Sequence, residues 1–101
     1  MIELLDGTTH ENKDALREYC QQNYSTKELA RMIELSHFLQ KFDTKPRNFY
    51  TDHECDNLIE IYNLELKAKT ITKATFNRRV KKIENKRPKT AQDMMDSMFY
   101  I

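Results

Sequence analysis

Ser25-Thr26-Lys27-Glu28-Leu29-Ala30-Arg31-Met32-Ile33 is the stretch that decides the fold class. A serine at an N-cap can accept from the backbone N–H three residues on, and a glutamate there can reach back to the cap's own N–H. Ser25 and Glu28 have that spacing, which is a capping box. A helix is expected from this point, with Leu29, Ala30, Met32 and Ile33 as its buried residues.

Working outward, residues 11–23 read as a preceding helix, because Ala15, Leu16, Tyr19 and Cys20 recur at helical spacing between charged residues. On the other side, Ser36 is a second candidate cap. Phe38, Leu39 and Phe42 behind it suggest a short third helix that ends before Pro46. Thr51 can cap a further helix, expected to be the longest, that buries Cys55, Leu58, Ile59, Tyr62 and Leu66. Ile71, Phe76, Val80 and Ile83 supply a last stripe, closed by Lys86-Arg87-Pro88-Lys89. The composition agrees: 1 glycine, 2 prolines and no tryptophan leave little material for a turn-rich sheet fold. The expectation is an all-α domain with little or no sheet, and 101 residues fit one such body.

A shift of 42 residues sets Leu16 against Leu58, Leu29 against Ile71, Phe38 against Val80, and Pro46-Arg47 against Pro88-Lys89. The pattern suggests two units, 11–47 and 53–89, each a helix, a turn and two shorter helices, followed by an apolar tail over 90–101. The alternative is the tolerable alignment that any two amphipathic stretches give at some shift. The tail, with Met94, Met95, Met98, Phe99 and Ile101, reads either as a helix packed on the body or as a homodimer contact.

Charge is distributed unevenly. Residues 1–66 hold 7 basic and 13 acidic side chains, 67–89 hold 10 basic and 1 acidic, and 90–101 hold 2 acidic, for a net charge of +1. Polarity of that kind concerns association rather than folding. Within the basic segment, Phe76, Val80 and Ile83 take one helical face. Asn77, Arg78, Lys81 and Lys82 fall on others, with Arg79 at the edge and Lys86, Arg87 and Lys89 at the exit. Asn and Arg can pair with base edges bidentately and Lys chiefly meets phosphate, so duplex DNA is the expected partner. Six phosphate contacts would give a log-log salt slope of about −5. In the first unit the corresponding outward residues are His37, Gln40 and Lys41.

The segment Ser25 to Ser36 resembles the bracing helix of helix-turn-helix regulators from bacteria and phages, with small Ala30 at the helix crossing and Ile33 and Leu35 as apolar residues. It departs from them at Glu34, where their turn usually carries glycine. Phe49-Tyr50-Thr51-Asp52-His53-Glu54 looks like the opening of Myb/SANT-like domains, and Asn77-Arg78-Arg79-Val80-Lys81-Lys82-Ile83 is similar to their recognition helix. The middle of that second unit is shorter than in the family. The resemblance spans residues 11–89 through degenerate motifs. It implies a tandem helix-turn-helix DNA-binding regulator of the kind phages and mobile elements encode. The alternative is a phage-encoded inhibitor or adaptor that engages a host protein with the same basic face.

Other classes find little support. His53-Glu54-Cys55 and His10-Glu11 place donors side by side, but not four at zinc-binding spacing, so no metal or other cofactor is expected. With Gly7 as the only glycine there is no phosphate-cradling loop, and no catalytic constellation stands out, so an enzyme is not expected. Cys20 and Cys55 form no C-x-x-C pair and fit a reduced compartment. No apolar run reaches membrane-spanning length, and the first six residues lack a signal peptide's layout, so a cytoplasmic protein is expected.

Overall fold

A computed structural model describes residues 1–42 and 49–88, in the order β1 (Ile2–Glu3), β2 (Thr9–His10), α1 (Lys13–Asn23), α2 (Thr26–Lys41), α3 (Asp52–Lys67) and α4 (Lys73–Glu84). The architecture is mostly helical, as composition predicts, with β1 and β2 as a small antiparallel ribbon that pairs Ile2 with His10. Lys89, the tail over 90–101 and the Pro46-Arg47 exit lie outside the described residues.

Local chemistry sets most helix starts. Ser25 accepts from Glu28 N at 3.2 Å while Glu28 returns a bond to Ser25 N at 3.0 Å, and Thr51 and Glu54 repeat this reciprocal pair at the start of α3. Asn12 caps α1 and Thr72 caps α4 by the same side-chain-to-backbone bond. Each such cap contributes roughly 1 kcal/mol.

The expected break at Ser36 does not occur, and α2 runs unbroken to Lys41. Neither Gly nor Pro interrupts 26–41, so nothing local ends the hydrogen-bond ladder, and Ser36 sits half-buried within it. Continuity rotates the apolar stripe. Met32 and Leu35 are buried, whereas Ala30 and Ile33, expected inside, are exposed, Ile33 at 59 %. Leu35 is fully enclosed, and its truncation to Ala would cost roughly 2–5 kcal/mol. Among the described residues the first unit thus has two helices, where three were expected. The second has α3 and α4 with no bracing helix between them, only the turn over 68–72. Nor do the halves superpose by caps: the 42-residue shift sets Ser25 against Lys67, inside α3. α3 equals α2 in length, at 16 residues each.

Two centres hold the body together. One is apolar: Cys55, Leu58 and Ile83 are buried between α3 and α4, with Phe38, Phe42, Tyr50, Ile59 and Tyr62 packed around them. Burial pushes the Cys55 thiol up to about 11, so it stays protonated and bonds the Ile83 carbonyl at 3.8 Å. The other is polar. Asp6, 0 % exposed, receives Tyr19 Oη at 2.7 Å and Tyr24 Oη at 2.6 Å on Oδ2, and both the backbone N–H (3.0 Å) and the hydroxyl (2.6 Å) of Thr8 on Oδ1. Burial alone would raise the Asp6 carboxyl, but these donors outweigh it and hold the group below its ordinary value. Tyr19 and Tyr24 are raised, first by burial and then by the carboxylate they serve.

The hub also fixes the turn before α4. Thr70 Oγ1 donates to the Asp6 carbonyl at 2.6 Å, and beside it Gly7 adopts φ +86°, where a Cβ would stand 2.5 Å from Thr70 Oγ1. Only glycine fits there, on conformation and on space. The ribbon, α1 and the α3–α4 turn therefore share one tie point.

Candidate nucleic-acid interface

α4 forms because Thr72 caps it and Lys73-Ala74-Thr75-Phe76-Asn77-Arg78-Arg79-Val80-Lys81-Lys82-Ile83-Glu84 contains no breaker. Ile83 is buried against Cys55 and Leu58 of α3, and Phe76 and Val80 are half-buried. Asn77, Arg78, Lys81 and Lys82 are all exposed, with Lys73 one turn earlier. Among the described residues Arg78, Lys81 and Lys82 form no ion pair, so the face carries its charge uncompensated.

Lys67, Arg79, Lys86 and Arg87 are engaged within the fold, whereas Lys69 is exposed in the turn before α4. Arg79 lies 3.5 Å from Glu65 and over the Tyr62 ring, whose centroid is 5.5 Å away. Lys86 covers the Tyr50 ring at 4.7 Å, and its carbonyl accepts from Tyr50 N at 2.9 Å. Lys67 bonds Glu28 at 3.3 Å. Arg87 is the most committed: it reaches Asp56 at 2.8 Å and both Asp52 and Glu84 at 3.0 Å. The carboxylates of Glu84 and Asp56 hold its guanidinium well above its ordinary pKa. Arg87 thus joins the start of α3 to the exit of α4, a role that a count of basic residues does not reveal. Asp52 and Asp56, spaced i and i+4 on one helix, were the available signal, but only an antiparallel α3–α4 pair makes them meet Arg87.

His37, Gln40 and Lys41 lie elsewhere. Gln40 is exposed on α2, while His37 and Lys41 line a 410 Å³ groove with Arg31, Phe38, His53 and Asn57 that contains no residue of α4. Arg31 is tied there to Glu60 at 2.7 Å and Glu34 at 3.0 Å. The two sets of sequence-predicted residues therefore do not form one surface.

Among the described residues no group of three or more His, Cys, Asp or Glu side chains is placed to hold a metal ion, and no helix is long and apolar enough to cross a membrane. No protein-family model, curated protein or solved structure matches this chain.

Proposed function

We propose that this chain is a small regulatory protein that binds duplex DNA through the outward face of α4. The observation that supports it most is the cluster Arg78, Lys81 and Lys82, exposed and without an ion pair among the described residues, with exposed Lys73 beside the Phe76 ring at the start of the same helix, while Arg79, Lys86 and Arg87 are engaged within the fold. A fold gains nothing from uncompensated like charge on one helix, whereas a polyanion does. Four cations on phosphates predict a log-log salt slope of roughly −4, shallower than the −5 expected from the sequence, since Arg79, Lys86 and Arg87 face inward partners. Titration of a labelled random duplex from 50 to 200 mM salt reads this directly. A flat response would remove the electrostatic basis of the proposal.

The rival reading is an inhibitor or adaptor that presents the same face to an acidic host protein. It draws on exposed Glu3, Glu11, Asp14 and Glu18, which repel DNA from the ribbon and α1. It predicts no duplex binding even at low salt.

A further inference from the structure

Resting on the α4 reading, we infer that the bound ligand is held by its sugar-phosphate backbone alone, with base sequence left unread. The argument begins with the dimensions of the duplex. An α-helix with its side chains is about 10–12 Å across and the major groove about 12 Å wide, so a helix that reaches base edges brings both its margins close to phosphates. Both margins must then be neutral or positive.

The margin of α4 next to the start of α3 is neither. Glu84 in the last turn of α4 meets Asp52 and Asp56 of α3 around the single guanidinium of Arg87, three carboxylates to one cation, a local charge of −2. Asp52 and Asp56 keep side-chain exposures of 58 % and 69 %, so they face the solvent that a phosphate strand would occupy. At physiological ionic strength the screening length is about 8 Å, too short to hide them from a strand lying against that margin. Insertion in the helix-turn-helix manner is therefore opposed over the C-terminal half of α4. Arg78 and Lys82, one turn apart and more than 100° around the helix from Glu84, can instead meet phosphates of one strand with the carboxylates turned away, and Lys81 lies between the two margins.

The rings nearby point the same way. Phe76, Tyr62 and Tyr50 are half-buried, and each lies beneath a cation of this chain: Lys73 at 5.3 Å, Arg79 at 5.5 Å and Lys86 at 4.7 Å. They do not stand out as a platform on which unpaired bases could stack, which is how single strands gain affinity. The ligand class is thus a duplex, gripped as a line of charge.

Two measurements test this. In the first, the protein selects from a duplex library with a randomised 12-base-pair core, at a salt concentration where it binds. Site-reading proteins prefer their sequence by a factor of roughly 10³ or more. The inference expects no motif enriched beyond tenfold, and a motif enriched beyond that overturns it while leaving α4 as the binding face. In the second, Asp52→Asn with Asp56→Asn is titrated with a random duplex and with its separated strand. Removing the acidic margin should tighten duplex binding about threefold, and the duplex should bind more tightly than the strand. Unchanged or weaker duplex binding by this variant, or a preference for the strand, overturns the inference. If that variant does not fold, the library and the wild-type comparison of duplex with strand decide alone. Failure of the wild-type protein to bind any nucleic acid at 50 mM salt removes the α4 reading itself.

Discussion

Asp6 and Arg87 are mirror images with unequal consequences. Each is one ion surrounded by several partners of complementary character, and each joins segments far apart in sequence. Asp6 is fully enclosed and its partners are hydroxyl and amide donors, whereas Arg87 sits at the surface among carboxylates that are 46–69 % exposed. Removing the first leaves the buried Tyr24 hydroxyl and the half-buried Tyr19 and Thr8 donors without their carboxylate; removing the second leaves carboxylates that water solvates readily. The N-terminal half therefore uses its polar groups to hold the fold, while the C-terminal half keeps charge at the surface, where it is worth more for association than for stability.

The sharpest way to break the comparison is Asp6→Ala. It removes the carboxylate to which Tyr19 Oη, Tyr24 Oη and the Thr8 N–H and hydroxyl donate and so loosens the ribbon against α1, while the bond from Thr70 to the main-chain carbonyl is retained. A loss of roughly 3–5 kcal/mol is expected, read from the midpoint of urea unfolding. A loss below 1 kcal/mol would reduce the hub to decoration.

Acid titration should show the next largest effect. The Asp6 carboxyl is lower in the folded protein than its ordinary 3.8, so the unfolded chain binds the proton more readily. Its contribution is complete above that ordinary value and is lost as pH falls through the lower folded one. Stability should therefore drop on acidification below about pH 4 more steeply in the wild-type protein than in Asp6→Asn. Parallel profiles for the two proteins would show that the carboxylate's charge is not what the tyrosines stabilise.

Arg87→Gln should have the smallest effect. Exposed pairs contribute about 0.2–1 kcal/mol each, and side chains that share one guanidinium do not add fully. A loss of about 1 kcal/mol is expected, most of it gone in 1 M salt, where the screening length is about 3 Å. A loss comparable to that of Asp6→Ala, insensitive to salt, would erase the distinction between the two centres.

What the sequence made legible was local. The capping box at Ser25 and Glu28 and the cap at Thr51 lie within a few residues and emerge as expected, and of the stripe Phe76, Val80 and Ile83 the last is buried and the other two are half-buried. Ser36 misled because serine is tolerated within a helix, and with neither Gly nor Pro in 26–41 the ladder continues through it. The hub was illegible because Asp6 meets partners 13, 18 and 64 residues away. The same limit applied to the basic segment. Its ten cations could be counted, but only the α3–α4 pairing shows Arg87 spent on Asp52 and Asp56, 35 and 31 residues earlier, while Arg78, Lys81 and Lys82 face outward.

The central claim, that α4's outward row is the binding face, is tested most directly by Arg78→Glu with Lys82→Glu. Both residues are exposed and without ion pairs among the described residues, so the melting temperature should stay close to that of the wild type. Its affinity for a random duplex, measured by fluorescence anisotropy from 50 to 200 mM salt, should fall at least tenfold at the lowest salt, with a slope about 2 units shallower. A well-folded variant that kept the wild-type affinity and slope would place the contact elsewhere on the molecule and contradict the account.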